Sequence, residues 1–328
     1  MKALITTVPF GDKNRLPLEL LEGAAVDYVI NPLNKKLTEQ ELAQLATDVD
    51  VIIAGTEPIT EYVMDRAPKL KMISRVGIGL DSVNLLAARA RNIKVSYTPD
   101  APSPAVAELT IGLMISLLRS VHVSSSQMHR GVWHRHFGRR IANCSIGIIG
   151  LGRIGVRVLN RLAAFGTPRL LVNDLLPDAE LNRKFKLEWV DKETLYKEAD
   201  LITLHVPLTP KTNNMIRREH LDMMKPDAMI INTSRGGIVN EKDLYDVMHS
   251  GHLAGAAIDV FCHEPYDGNL KEIERCILTA HMGSMSVDCR TRMEIEATEE
   301  AIRFCQGTPL TSEVPEDEYE VQRQGLGG

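Results

Sequence analysis

Ser145-Ile-Gly-Ile-Ile-Gly-Leu-Gly-Arg-Ile-Gly155 is the stretch whose reading decides the fold. Ile146, Ile148 and Ile149 form a short, apolar, β-branched run of the kind a buried parallel strand needs. Gly150, Gly152 and Gly155 then make G-x-G-x-x-G, and Val156, Val158, Leu159 and Leu162 give the inward face of a helix that Gly166 stops. Gly150 permits the tight turn, Gly152 lets the backbone approach a pyrophosphate, and Gly155 lets helix and strand pack closely. The helix N-terminus turns free N–H groups and a positive dipole end toward that anion.

A lone glycine motif can be an ordinary turn. This one follows a strand, opens a helix and is followed by a second strand, Arg169–Asn173, that ends at Asp174. About twenty residues past the motif is where a carboxylate meets the ribose hydroxyls of NAD, and its charge opposes the 2′-phosphate of NADP. The pattern therefore predicts a dinucleotide-binding unit that uses NAD.

Outward from this centre, the chain alternates strands and helices. Lys2–Thr6, Val26–Ile30, Val51–Ala54, Met72–Ser74 and Val95–Tyr97 read as strands of a small parallel α/β unit. Thr38 and Glu41 form a capping box ahead of a helix. Asp100–Pro104 reads as a hinge, with Ser103 as a cap and Pro104 at the first helical position. Ala105–Leu118, apolar nearly all round, reads as a buried helix crossing between domains. A polar, basic arm follows, with Arg130, Trp133, His134, Arg135, His136, Arg139 and Arg140, read as a solvated or subunit-contacting segment. Leu201–Val206, Ala228–Asn232, Gly255–Asp259 and a strand ending at Ile277–Thr279 complete a doubly wound, six-strand pattern. A long helix then runs to about Cys305, and the acidic, Gly-ended residues 312–328 read as a disordered tail.

The predicted fold is α/β with two Rossmann-like domains: a doubly wound NAD domain over 101–284, with a dimerisation arm at about 119–144, and a smaller, flavodoxin-like substrate domain from 1–100 and 285–311. The net charge of -5 over 328 residues argues against general nucleic-acid binding. No apolar run approaches the ~18 residues of a membrane span, and the N-terminus does not read as a signal peptide. Five cysteines without a C-x-x-C fit reduced thiols in a cytoplasmic protein, with no metal site.

In open α/β sheets, ligands bind beyond the carboxyl ends of the strands. Four titratable or charged residues fall at such places: Arg235, Asp259, Glu264 and His281. In the other domain, Arg75-Val-Gly-Ile-Gly-Leu-Asp81 reads either as an anion-holding backbone loop or as a plain strand-to-helix turn.

These residues resemble the D-isomer-specific 2-hydroxyacid dehydrogenase family, from about Val51 to Cys305. The resemblance rests on Gly77, Gly79 and Asp81, Ala105-Val-Ala-Glu108, Gly150–Gly155, His205-Val-Pro207, Asn232-Thr-Ser-Arg-Gly236, Asp259-Val-Phe261, Glu264-Pro265 and His281-Met-Gly-Ser284. Within the family the chain is most similar to phosphoglycerate dehydrogenases. The resemblance implies interconversion of a D-2-hydroxy acid and its 2-keto acid by hydride transfer, in a homodimer. His281 would give and take the proton, Glu264 would orient it, and Arg235 would bind the substrate carboxylate and polarise the carbonyl. Cofactor contacts would come from Gly150, Gly152, Arg153, Ile154, Gly155, Asp174, Val206, Pro207, Thr233, Ser234, Arg235, Asp259, His281, Gly283 and Ser284, with Asp259 on the nicotinamide carboxamide. Substrate contacts would come from Arg75, Val76, Gly77, Ile78, Arg135, Arg235 and His281, the first and fifth on a second anionic group. Two departures affect loop rigidity: Ala280 stands where the family usually has proline, and Glu264-Pro-Tyr-Asp267 lacks a second proline. A nucleotide-sensing corepressor and a phosphite dehydrogenase are the alternatives that the same scaffold allows. Formate enzymes carry Gln where Glu264 stands.

Overall fold

The computed structural model describes residues 1–166 and 168–325. The chain divides into two compact units, Met1–Pro102 with the chain from Met285 onward, and Ser103–Ser284.

The first unit holds five strands, β1 (Lys2–Ile5), β2 (Asp27–Ile30), β3 (Val51–Ala54), β4 (Met72–Arg75) and β5 (Lys94–Ser96). All pair in parallel, in the order β2-β1-β3-β4-β5, the flavodoxin arrangement. Because side chains alternate along a strand, neighbouring residues bury on opposite faces. Leu4, Ile52, Ala54 and Ile73 join Leu42, Val63 and Leu85 of three helices on one side. Ala3, Ile5, Ile53 and Met72 join Leu18 and Leu21, and Met293, Ala297 and Ala301 of the helix Val287–Cys305, on the other. The Thr38/Glu41 capping box forms.

Residues 312–325 of the expected disordered tail are ordered, and 326–328 lie outside the described residues. Val314 donates its N–H to the Val95 carbonyl, and Ser96 bridges Glu313 antiparallel, so this segment extends the β5 edge. The helix Glu316–Gly325 follows. Val314 and Tyr319 are buried in the core of this unit, Glu316 takes a two-pronged pair from Arg89 (2.7 and 2.6 Å), and Arg89 lies over the Tyr319 ring. Two of the acidic residues that suggested disorder, Glu313 and Glu316, meet Lys94 and Arg89 on the folded surface.

Among the described residues the second unit has seven strands, not six: β6 (Ser145–Ile149), β7 (Arg169–Asn173), β8 (Glu188–Trp189), β9 (Leu201–Leu204), β10 (Met229–Asn232), β11 (Gly255–Ile258) and β12 (Cys276–Leu278). Their order is β12-β11-β10-β9-β6-β7-β8, all parallel. The extra strand, β8, is two residues long at the sheet edge, too short to show a period. The helix Ser103–Leu118 buries Ala107, Ile111, Leu113, Met114 and Leu117 in this unit's own core, with Ile148, Val158 and Ile231. It begins at Ser103 itself, whose Oγ is buried and makes no hydrogen bond, so Ser103 does not cap. The arm is a helix, Val121–His129, with no buried residue, followed by an open stretch in which Trp133 and Phe137 are 79% and 105% exposed. Among the described residues, no single helix is long and apolar enough to cross a membrane.

Candidate active site

Seven parallel strands put all their carboxyl ends on one edge of the second unit's sheet, and the glycine loop opens there. Gly150 has φ +96°, and a Cβ on it would lie 2.5 Å from the His205 carbonyl oxygen. A Cβ on Gly155 would lie 2.0 Å from the carbonyl oxygen of Gly150, so helix and loop close only on glycine. At Gly152 a Cβ would meet nothing within 4 Å. Gly152 is also the N-cap of the helix Arg153–Leu162 and supplies no side-chain cap. The first-turn N–H groups therefore have no side-chain cap, and the backbone beside them is open to approach, as holding a phosphate requires. Arg153 is exposed and Ile154 is half-buried against the core.

Asp174 stands at the end of β7, and its two oxygens accept the N–H groups of Leu151, in the glycine loop, and Leu175. Each carboxylate oxygen has a second lone pair for a ribose hydroxyl. An open glycine cradle, an uncapped helix terminus and a carboxylate at the next strand end fit NAD. Val206 is half-buried and Pro207 exposed on the neighbouring strand end. His205 packs its backbone against Gly150, its Nε2 meets Thr203 Oγ1 at 3.0 Å, and its Nδ1 has no partner. Burial pushes the pKa of this imidazole down to about 3, so it is neutral near pH 7.

Beyond β10, Asn232 organises the turn. Its Oδ1 accepts from the Ser234 N–H (3.1 Å) and hydroxyl (2.8 Å), and its Nδ2 donates to the Arg235 carbonyl (2.8 Å). The Thr233 hydroxyl meets that of Thr110 at 2.9 Å. The hydroxyls expected to contact cofactor are thus engaged within the fold. Arg235 is half-buried, and its Nη1 donates to the Ser234 carbonyl (2.7 Å). At Gly236 a Cβ would sit 2.1 Å from the Phe261 carbonyl, which brings the Arg235 turn hard against the loop leading to Glu264.

Across that loop, His281 Nδ1 lies 3.0 and 2.9 Å from the two oxygens of Glu264. Glu264 also accepts the Phe261 N–H at 3.1 Å, which holds it on its own turn. An ionised carboxylate only accepts, so Nδ1 carries hydrogen and Nε2 is the nitrogen left for proton exchange. Asp259 is 1% exposed, and its carboxylate accepts from Thr279 Oγ1, Met282 N and Gly283 N. Burial raises its pKa, and these three donors pull it back. Ser284 is half-buried one residue further on. The structure thus brings Glu264, Asp259 and His281 into one hydrogen-bonded cluster. Thr279 and Asn232, which hold that cluster and the Arg235 turn, are given no role by the sequence reading, although Asn232 opens one of its motifs. The available signal is that each is a polar residue closing an apolar strand beside another such end.

The loop of the first unit is tighter than its glycines suggest. Val76 N–H donates to the Ala54 carbonyl (2.9 Å) and Gly77 N–H to Thr98 Oγ1 (2.8 Å). Among the described residues, the N–H groups of Ile78 and Gly79 carry no hydrogen bond. Arg75 is not a spare guanidinium at the loop's mouth: it is 5% exposed, and its Nη1 reaches the carbonyls of Val76 and Ala54. Arg135 is exposed in the arm.

Residues 111–283 match the model of the D-isomer specific 2-hydroxyacid dehydrogenase NAD-binding domain. A hydroxypyruvate reductase of Thermotoga maritima is 34% identical over 277 residues, covering 82% of this chain and 89% of that protein. The chain belongs to the D-isomer-specific 2-hydroxyacid dehydrogenase family, a family of NAD-dependent oxidoreductases, and its second unit is the NAD-binding domain. A D-3-phosphoglycerate dehydrogenase of Methanocaldococcus jannaschii is 40% identical over 260 residues, 77% of this chain but 49% of that protein, so the chain spans about half the length of this relative. Among solved structures, the TT0316 protein of Thermus thermophilus superposes with a TM-score of 0.87 at 31% identity, over 96% of this chain and all of that one.

Proposed function

We propose that the protein interconverts a compact D-2-hydroxy acid and its 2-keto acid, with NAD as the hydride carrier and a proton exchanged at His281 Nε2. The observation that carries this reading is the His281–Glu264 pair at 2.9 Å on the same sheet edge as the glycine cradle and Arg235. NAD, when bound, accepts or supplies the hydride. His281, oriented through Nδ1, gives a proton to the carbonyl oxygen in reduction and takes it back in oxidation. Glu264 keeps the imidazole oriented through Nδ1 while the proton is exchanged at Nε2. Arg235 offers a fork of donors to the substrate carboxylate and the polarised carbonyl. Ile78 and Gly79 offer two backbone N–H groups suited to an anion.

The two relatives named above act, by their names, on three-carbon acids with and without a phosphate. The engagement of Arg75 with its own loop supports the compact, unphosphorylated kind. The exposed apolar arm supports a homodimer, and the five unpaired cysteines support a reducing, cytoplasmic setting. The test is reduction of hydroxypyruvate, glyoxylate, pyruvate, 2-ketoglutarate and 3-phosphohydroxypyruvate with NADH. Turnover with hydroxypyruvate is expected, falling about a hundredfold or more in His281→Ala while NADH binding persists. Full turnover in that variant, or none with any keto acid in the parent, removes the proposal.

A further inference from the structure

His281 sits in an unusual backbone state, with φ +49°, in the left-handed region that side-chain-bearing residues rarely occupy. Ala280 before it has no ring to restrict the approach. What holds the turn is Asp259. Its Oδ1 accepts from Thr279 Oγ1 (2.6 Å) and from the Met282 N–H (2.9 Å), and its Oδ2 accepts from the Gly283 N–H (2.9 Å). Its backbone carbonyl accepts the His281 N–H at 2.8 Å. One residue thus binds the chain before, at and after His281. The register explains the placement: Ile258 pairs with Leu278, so the next positions, Asp259 and Thr279, leave the sheet side by side. A Cβ at Gly283 would lie 3.1 Å from Asp259 Oδ2, so the turn is drawn in tightly.

We propose that Asp259 is a positioning residue that works through the backbone of the Thr279–Gly283 turn to hold the His281 ring against Glu264. This rests on the reading of His281 as the proton-exchanging group. It differs from a role confined to recognising the nicotinamide carboxamide, because three of the carboxylate's acceptor positions already serve the turn. The geometry also says what each substitution does. In Asp259→Asn the amide oxygen can keep Thr279 and Met282, but the NH2 faces the Gly283 N–H, donor against donor in a buried place. Thr279→Val removes one donor with little change in shape and none in charge.

Two readouts on the full chain test this. The first is the NMR signal of the His281 ring in histidine-labelled protein without cofactor, assigned with His281→Gln. The second is turnover with NADH and with reduced 3-acetylpyridine adenine dinucleotide, in which an acetyl group replaces the carboxamide. A displaced or broadened His281 signal is expected in both variants. The kcat is expected to fall about fiftyfold in Asp259→Asn and about fivefold in Thr279→Val, by the same factor with either cofactor, and with a displaced pH profile. An unmoved His281 signal, with losses confined to the KM for NADH and absent with the acetylpyridine cofactor, overturns the proposal. If Asp259→Asn does not fold, Thr279→Val decides by the same criteria. If the parent reduces no keto acid, the functional reading fails, and the His281 signal still decides whether Asp259 holds the turn.

Discussion

His205 illustrates how a single residue ties the cofactor cradle to stability. Its backbone lies where a side chain on Gly150 would have to go, and burial drives its imidazole pKa down to about 3. An unfolded chain returns that histidine to a pKa near 6.5. Below this value the unfolded state binds a proton that the native state refuses, so stability rises with pH and is lost as pH falls from about 6.5 toward 3. Between pH 7 and 4.5 this one group accounts for on the order of 2–3 kcal/mol of lost stability. Urea unfolding of His205→Gln and the parent across that range should give a shallower pH dependence in the variant. Parallel curves would mean that the imidazole is protonated in the native protein. At this scale the chemistry of the site is only half legible in sequence. Arg235, Asp259, Glu264 and His281 are visible because each is a charged or titratable group just past an apolar run. The neutralised His205, the donor role of Thr279 and the inward turn of Arg75 depend on what packs around them, and neighbours in space are not neighbours in sequence.

Elements are legible when they are periodic and opaque when they are short or polar. The apolar runs of β1, β3, β6, β7, β9 and β10 place most of both sheets, and the glycine spacing places the helix that follows β6. β8 offers two residues and no period. The helix Glu316–Gly325 is read as disorder because its charge pattern, taken alone, cannot bury enough apolar surface. Its folding comes from elsewhere: two apolar residues, Val314 and Tyr319, are spaced to enter a core built by other helices, and Arg89 and Lys94 answer Glu316 and Glu313. Those ion pairs are exposed and screened, so the apolar burial carries the attachment. Tyr319→Ala should therefore cost about 2–4 kcal/mol in urea unfolding, by loss of a buried aromatic ring and the cavity it leaves. Glu316→Gln should cost far less. Equal costs, or none for Tyr319→Ala, would mean that the C-terminal helix does not hold to the first unit in solution.

At the scale of the whole molecule, the arm is the part the single chain leaves unexplained. The apolar helix beside it, Ser103–Leu118, buries most of its apolar residues within its own unit. The arm differs. The helix Val121–His129 has no fully buried residue, and Val121, Met128, Val132, Trp133 and Phe137 are all exposed along one short stretch of chain. Single exposed apolar residues are ordinary, but two aromatics, two valines and a methionine exposed within one short stretch of chain are the kind of cluster that marks an interface. Aromatic side chains of this sort supply most of the energy where subunits meet, and a two-fold dimer is the commonest solution for a self-complementary patch. Sedimentation at micromolar concentration should show a dimer for the parent and a monomer for a Trp133→Glu, Phe137→Glu double variant. Far-ultraviolet circular dichroism should be unchanged, because neither side chain contributes to a core. A monomeric parent would leave the arm without the partner proposed here, and a dimeric double variant would move the interface to another face.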